Sequence, residues 1–217
     1  MADTDALIRR LVDQSGRVGR LPPPWKRALL WLGWSLPWVA FVVLIMGVRP
    51  DLVQKLSDSR FLLEQIAAFA AALLAGFAAF CAVVPGRPRW LLLLPALPIA
   101  VWLGSLGQGC IQAWMGGNLV FGVDWVCFPS IAFVGAVPAL LMAFMLRRGA
   151  PLYPHLAVAL GGLAAAALGN VGLRLFHPID ASLMVLVWQF GSVALMTALA
   201  GCIGPLVHHW RHVPAGR

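Results

Sequence analysis

Six long apolar stretches, separated by short polar or glycine-rich segments, dominate the chain. They lie at about 28–48, 61–84, 90–106, 128–146, 156–173 and 183–206. Each is long enough to cross the ~30 Å hydrocarbon core of a bilayer as a helix, and prolines inside such helices are tolerated as kinks. The pattern predicts an all-α polytopic membrane protein in which six transmembrane helices form a bundle.

The apolar stretches divide the chain into an N-terminal arm (1–27), a six-span domain (28–206) and a short tail (207–217). Twelve of the 16 Lys and Arg lie in the arm, in the tail and in the two tight turns that follow the second and fourth spans. Cytoplasmic loops carry an excess of Lys and Arg. We therefore expect both termini to be cytoplasmic.

Composition agrees with a membrane protein and excludes an ordinary soluble domain. The chain is 61% hydrophobic and 11% charged, with a mean hydropathy of +0.85. Its formal net charge of +8 could suggest a nucleic-acid partner, but the basic residues flank apolar stretches. We interpret the charge as topological and expect the bilayer, and no direct nucleic acid, as a partner.

The arm contains a short amphipathic pattern at 5–14, with Thr4 or Asp3 available as an N-cap and Gly16 as a stop. A helix this short is marginal in water, so its apolar stripe needs a surface to become ordered. That surface is a protein partner or the inner leaflet, and an unstructured arm is the third alternative. Pro22, Pro23 and Pro24 follow as a stiff extended spacer. The residues expected to bind a partner are Leu7, Ile8, Arg9, Arg10, Leu11 and Val12.

The segment 107–127, GQGCIQAWMGGNLVFGVDWVC, is predicted to be an aqueous loop on the far side of the membrane. Gly116 and Gly117 interrupt the helical pattern there. The loop carries Cys110 and Cys127, which would face an oxidising compartment. A disulfide between them would contribute about 3 kcal/mol if their Cα atoms come close enough.

The sequence offers no catalytic or transport constellation. The one ionisable residue noted inside a span is Glu64, which is expected to reach water from the start of its helix. The CxxC and HExxH motifs and a phosphate-binding glycine loop are missing from the sequence. We therefore expect a protein that is not an enzyme and needs no cofactor. A quinone-linked membrane thiol oxidoreductase is the main alternative, and a structural or lipid-binding protein is a third.

The segment 147–210 resembles the second half of the small six-span bacterial proteins called negative regulators of sigma F, the NrsF-like membrane anti-sigma factors. The similarity rests on the RRGAP turn, on Pro154 and on the small-residue run GGLAAAALG. It includes an outer turn with a proline and an acid, and Trp188 in the sixth span. The arm and its LPPPWKR entry to the first span are also similar, so the resemblance covers essentially the whole chain.

The resemblance implies a regulator in the bacterial inner membrane that holds an extracytoplasmic-function sigma factor inactive through its N-terminal arm. Release would follow an oxidant or metal stress sensed by extracytoplasmic cysteines. The family pattern has one cysteine near the start of the fourth span, where Cys127 lies, and a second before the proline of the following outer turn. Here that second position is His177.

Three interpretations of these positions remain open at the level of the sequence. Cys110 replaces the missing partner and forms a disulfide with Cys127. Alternatively, Cys127 and His177 form a thiolate and imidazole pair for a soft or borderline metal such as zinc, copper or cadmium. In the third, both are ordinary interfacial residues.

Overall fold

The structure, a computed structural model, describes residues 2–14, 21–149, 151 and 153–207. Within these ranges it contains helices and no strand, which confirms the all-α prediction. The tail from residue 208 and the predicted stop at Gly16 lie outside the described residues. The short helices are the arm helix Ala2–Gln14, Leu52–Lys55 and Gly204–Val207.

Six helices are long and apolar enough to cross a membrane, as predicted, and the protein is therefore a multi-pass membrane protein. Numbered along the chain, spans 1 to 6 are Pro24–Met46, Ser59–Ala82, Arg89–Met115, Cys127–Leu146, Pro154–Phe176 and Ser182–Cys202. Span 3 opens with the 3₁₀ turn Arg89–Leu93 before the α-helix Ala96–Met115. Span 6 contains a π-helical stretch, Val185–Phe190, between Ser182–Met184 and Gly191–Cys202.

The bundle has two ends, because consecutive spans run in opposite directions. The loop end carries the segments 47–58, 116–126 and 177–181. The terminal end carries the start of span 1, the end of span 6 and the turns 83–88 and 147–153.

Span 1 begins at Pro24, earlier than the predicted start at residue 28. Pro24 occupies the first turn, where its missing N–H removes no helical hydrogen bond. Pro23 keeps the predicted extended conformation, with φ −58° and ψ 148°. The extended spacer is therefore shorter than three prolines, because Pro24 belongs to the helix.

The prediction of an aqueous loop over 107–127 is wrong for its first half. Span 3 continues as a helix to Met115, so Cys110 lies within the span. The chain turns at Gly117, whose φ of +68° suits glycine. Gly109 lies inside this helix as a packing residue, since a Cβ on it would lie 2.1 Å from the Ser182 Oγ.

Span 5 lies at the centre of the bundle and is packed through small residues, as the Ala- and Gly-rich sequence indicates. In its apolar window 72% of the residues are buried, the largest share of the six spans. A Cβ on Gly169 would lie 2.6 Å from the Ile131 carbonyl oxygen of span 4. The backbones of spans 4 and 5 therefore approach closely, and dispersion contacts hold them together in lipid.

Two tryptophans of span 1 donate to the backbone of span 4 at its proline. Pro138 has no N–H, so the Val134 carbonyl lacks its usual helical donor. The Trp38 indole N–H donates to this oxygen at 3.0 Å, and that of Trp31 to the Pro138 oxygen at 2.9 Å. Lipid offers no substitute donor, so these bonds fix span 1 on span 4.

A buried ion pair joins spans 2 and 5. Arg174 donates to Glu64, and the two side chains are 3% and 4% exposed. Ser105 of span 3 donates to the second Glu64 oxygen at 3.1 Å. Glu64 therefore does not reach water as predicted, and Arg174 lies inside span 5 rather than in the following turn. Arg27 is a further buried ionisable residue in a span.

We expect Arg174→Met to reduce the free energy of unfolding by about 3–5 kcal/mol, because it leaves the Glu64 carboxylate buried without its counter-ion. The double variant Glu64→Leu/Arg174→Met should lose much less, since both charges are removed. Unfolding in mixed detergent micelles measures this. Exposed Arg147→Met is the control. A double variant as unstable as the single one would contradict the assignment of the pair.

Candidate functional site

Three metal-binding side chain types meet at the loop end of the bundle. Asp124 is in the segment 116–126, Cys127 is the first residue of span 4, and His177 directly follows span 5. One ligand atom of each lies within 4.8 Å of the other two. The cluster brings together two chain segments that are far apart in sequence.

A single carboxylate oxygen organises the cluster. The Cys127 thiol lies 2.7 Å from Asp124 Oδ2, and His177 Nε2 lies 2.9 Å from the same atom. The other Asp124 oxygen accepts the Val126 N–H at 3.3 Å, which closes a turn just before span 4. Burial raises the pKa of Asp124, but the hydrogen bonds from Cys127 and His177 outweigh it, so the net pKa is lowered.

A charged network holds the His177 turn in place. Arg49 donates to both oxygens of Asp180, at 3.0 and 2.6 Å, and its Nη1 lies 3.5 Å from the His177 carbonyl oxygen. Lys55 lies 3.0 Å from Asp180. Burial alone would raise the pKa of Asp180, but the hydrogen bonds from Arg49 and Lys55 lower it to about 2. Hydrogen bonds with Asp51 and Asp180 raise the pKa of Arg49.

The segment that carries Asp124 is held against span 6. The Trp188 indole N–H donates to the Gly122 carbonyl at 2.8 Å, and the Trp125 and Trp188 rings lie 5.6 Å apart. Trp188 belongs to the π-helical stretch, a local irregularity that is frequent at functional sites. Both sides of the cluster are thus fixed by contacts outside it.

The donor set suits zinc, cadmium or copper(II), which bind thiolate, imidazole and carboxylate together. In a tetrahedral zinc site the ligand atoms lie roughly 3.4 Å apart, from metal–ligand distances of about 2.1 Å. A metal would take the place of the hydrogens that Cys127 and His177 share with Asp124. The Asp124 oxygen would then lie farther from each of the other two ligand atoms by less than an ångström. Three protein ligands would leave a fourth position open to water.

The predicted pair Cys127 and His177 is brought together, and Asp124 was missed as its third member. Its spacing of three residues before Cys127 was the available signal, because that spacing places both on one turn at a helix start. Cys110 is not part of the cluster, and all four cysteines are free thiols in the described residues.

The arm helix precedes span 1, whose first residue lies at the terminal end of the bundle. It begins at Ala2, so neither Thr4 nor Asp3 caps it as predicted. Leu7, Ile8 and Leu11 are more than half exposed. Arg9, Arg10 and Val12 are exposed as well. An apolar stripe of this kind is available to a further surface.

We expect the parent protein to bind Cd²⁺ at the cluster, and Asp124→Asn, Cys127→Ser and His177→Ala each to weaken binding at least tenfold. Each change removes one of three ligands. Isothermal titration calorimetry in detergent measures the affinity. Cys110→Ser is the matched control, because it removes a thiol outside the cluster. Equal Cd²⁺ affinity in Cys110→Ser and Cys127→Ser would contradict the site.

The lowered pKa of Asp180 predicts an acid-sensitive loop end. A carboxylate with a depressed folded-state pKa contributes stability above its unfolded pKa of about 4, and this is lost as the pH falls towards 2. The free energy of unfolding of the parent should fall over this window. Asp180→Asn should be less stable at pH 6 and show a flatter profile. Asp5→Asn, on the arm, serves as the control, and identical profiles for parent and Asp180→Asn would contradict the assignment.

Comparison with known proteins matches the chain to one family model. The model is described as negative regulator of sigma F, and it matches residues 11–210. Neither the curated proteins nor the solved structures give a match. The match covers all six spans and part of the arm helix. The chain therefore belongs to the NrsF family, the negative regulators of sigma F, and is an anti-sigma factor whose partner is a sigma factor.

Proposed function

We propose that this membrane anti-sigma factor holds an extracytoplasmic-function sigma factor through its arm and releases it when a metal or an oxidant reacts at the Asp124–Cys127–His177 cluster. The observation that carries the proposal is the position of the two features. Three potential metal ligands lie together at the loop end of the six-span bundle, and an exposed amphipathic helix precedes the span that starts at the terminal end. The proposed location is the bacterial inner membrane, with the arm in the cytoplasm.

The charge distribution supports this orientation. The arm, the tail and the turns of the terminal end hold twelve of the 16 Lys and Arg. The cluster would then face the extracytoplasmic side, where metals and oxidants arrive first. A bilayer separates the two compartments, so the signal has to cross through the helices.

The arm supports the proposed sigma contact through its apolar stripe. Leu7 and Leu11 are one helical turn apart and are 56% and 58% exposed. An amphipathic helix that inserts such residues into a groove is a common mode of recognition. Burial of each leucine stabilises a complex by about 1.5–3 kcal/mol. Arg9 and Arg10 are exposed beside the stripe and available to acidic groups on the partner.

The cluster favours a metal stimulus over a disulfide. Cys127 is the only thiol in the cluster. Metal binding requires loss of its proton and separates the three ligands from their present hydrogen bonds. The quinone-linked alternative would need exchanging pairs of cysteines, whereas the cluster contains a single cysteine.

We expect Leu7→Asp/Leu11→Asp to weaken capture of the cognate sigma factor by at least a hundredfold, because two buried apolar contacts would be replaced by carboxylates. The test uses the full-length protein in lipid nanodiscs and each extracytoplasmic-function sigma factor of the cell, with binding measured by interferometry. Leu56→Asp, an exposed leucine at the loop end, is the control.

Two outcomes would contradict the proposed function. In the first, Leu7→Asp/Leu11→Asp captures the sigma factor as well as the parent does. In the second, Cd²⁺ and diamide leave the parent complex intact. If the arm of Leu7→Asp/Leu11→Asp no longer associates with the membrane while sigma binding is unchanged, the inner leaflet would be the surface that the apolar stripe contacts.

A further inference from the structure

We propose that span 1 transmits the state of the cluster to the arm, an inference that rests on the proposed function. Span 1 (Pro24–Met46) continues the arm, and Arg49 follows its end by three residues. Span 1 itself donates hydrogen bonds to the fourth span, and Arg49 donates to the turn 177–181. A change at the cluster therefore reaches span 1 by two separate routes.

The first route runs along span 4. Cys127 is its first residue, and its later turns receive three side chains of span 1. Trp38 donates to the Val134 oxygen, Trp31 to the Pro138 oxygen and Arg27 to the Met145 oxygen. These bonds are distributed over the length of both helices, so the helices move as a pair.

Of the three hydrogen bonds between spans 1 and 4, the Trp38 bond responds most to a change in span 4, because of Pro138. Pro138 leaves the Val134 carbonyl without its helical N–H donor, and prolines are positions where membrane helices bend. Trp38 supplies the missing donor from span 1 at 3.0 Å. A shift in the first turns of span 4 changes the bend at Pro138, and this bond passes the change to span 1.

The second route runs through Arg49. Its backbone N–H donates to the Leu175 carbonyl at 3.0 Å, at the end of span 5. Its guanidinium holds Asp180 with two hydrogen bonds and lies next to the His177 carbonyl. The Arg49 side chain is 1% exposed, so the contact is closely packed and short. Movement of His177 towards a metal displaces the turn to which the end of span 1 is attached.

At the terminal end, span 1 continues the arm along the chain. Pro23 is extended and Pro24 begins span 1, so the residues that enter the helix form a stiff Pro–Pro pair. Helix shifts of about 1–2 Å are typical of switching transitions. A shift of this size at Pro24 moves the point at which the arm enters the membrane helix, and it thereby weakens binding of the sigma factor.

The test uses the reciprocity of coupled binding. If Cd²⁺ weakens sigma binding by a factor, saturating sigma factor weakens Cd²⁺ binding by the same factor. We expect a factor of at least five in the parent, measured as the ratio of Cd²⁺ dissociation constants with and without sigma factor. In Trp38→Phe this ratio should fall to at most half that of the parent, because the route along span 4 is lost, with the Cd²⁺ affinity of the free protein unchanged.

One further variant and two controls identify the route. Arg49→Lys keeps the positive charge but loses the forked hydrogen bonds, and its ratio should also fall towards one. Trp34→Phe, a lipid-facing tryptophan of the same span that is 67% exposed, should keep the parent ratio. Lys55→Gln, which removes another cation from Asp180 without touching span 1, should keep it too.

The outcomes separate this inference from the proposed function. A parent that binds no Cd²⁺ or no sigma factor overturns the proposed function, and the inference with it. A parent that binds both with a ratio of one overturns the inference alone. Ratios in Trp38→Phe and Arg49→Lys equal to that of the parent also overturn it, because the coupling then bypasses span 1.

Discussion

Hydrocarbon supplies no hydrogen bonds, so every polar group inside a span has to find its partner in the protein. This constraint explains the contacts that join the helices. The Val134 carbonyl freed by Pro138 receives the Trp38 indole, and Glu64 receives Arg174 and Ser105. Each of these contacts joins two or more spans. The apolar surfaces fill the bundle, and the polar contacts fix which helices lie together.

The same constraint concentrates the ionic contacts at the loop end. Asp180 is bound by Arg49 and Lys55 of the segment 47–58 and by Arg174 of span 5. A carboxylate with several cationic partners can be partly buried because its charge is compensated, whereas removal of a single partner leaves the remaining charges unbalanced. The turn 177–181 is therefore held firmly although it is irregular. His177 inherits its position from this turn, and a well-positioned imidazole is what a metal ligand requires.

Features that depend on local pattern could be predicted from the sequence, and those that depend on distant pairing could not. Six apolar runs of the right length indicate six spans without further information. The predicted fifth span ended just before Arg174, and the partner that this charge finds inside the bundle, Glu64, lies 110 residues away. The predicted loop began at Gly107, and no local pattern shows that Ser182 packs against Gly109 in a continuing helix. Asp124 gains its role only through His177, which no local pattern connects to it.

The cluster contains one thiol, one imidazole and one carboxylate, and this composition limits the chemistry that it can undergo. Two cysteines respond to an oxidant by forming a disulfide, which needs a second thiol within reach. Cys127 has an imidazole and a carboxylate next to it instead. Its thiol and the His177 imidazole both lie within 3 Å of one oxygen of Asp124. Such a set exchanges a proton and two hydrogen bonds for metal–ligand bonds, a change that reverses when the metal is removed. A histidine in place of a second thiol beside Cys127 therefore favours reversible metal binding over disulfide formation.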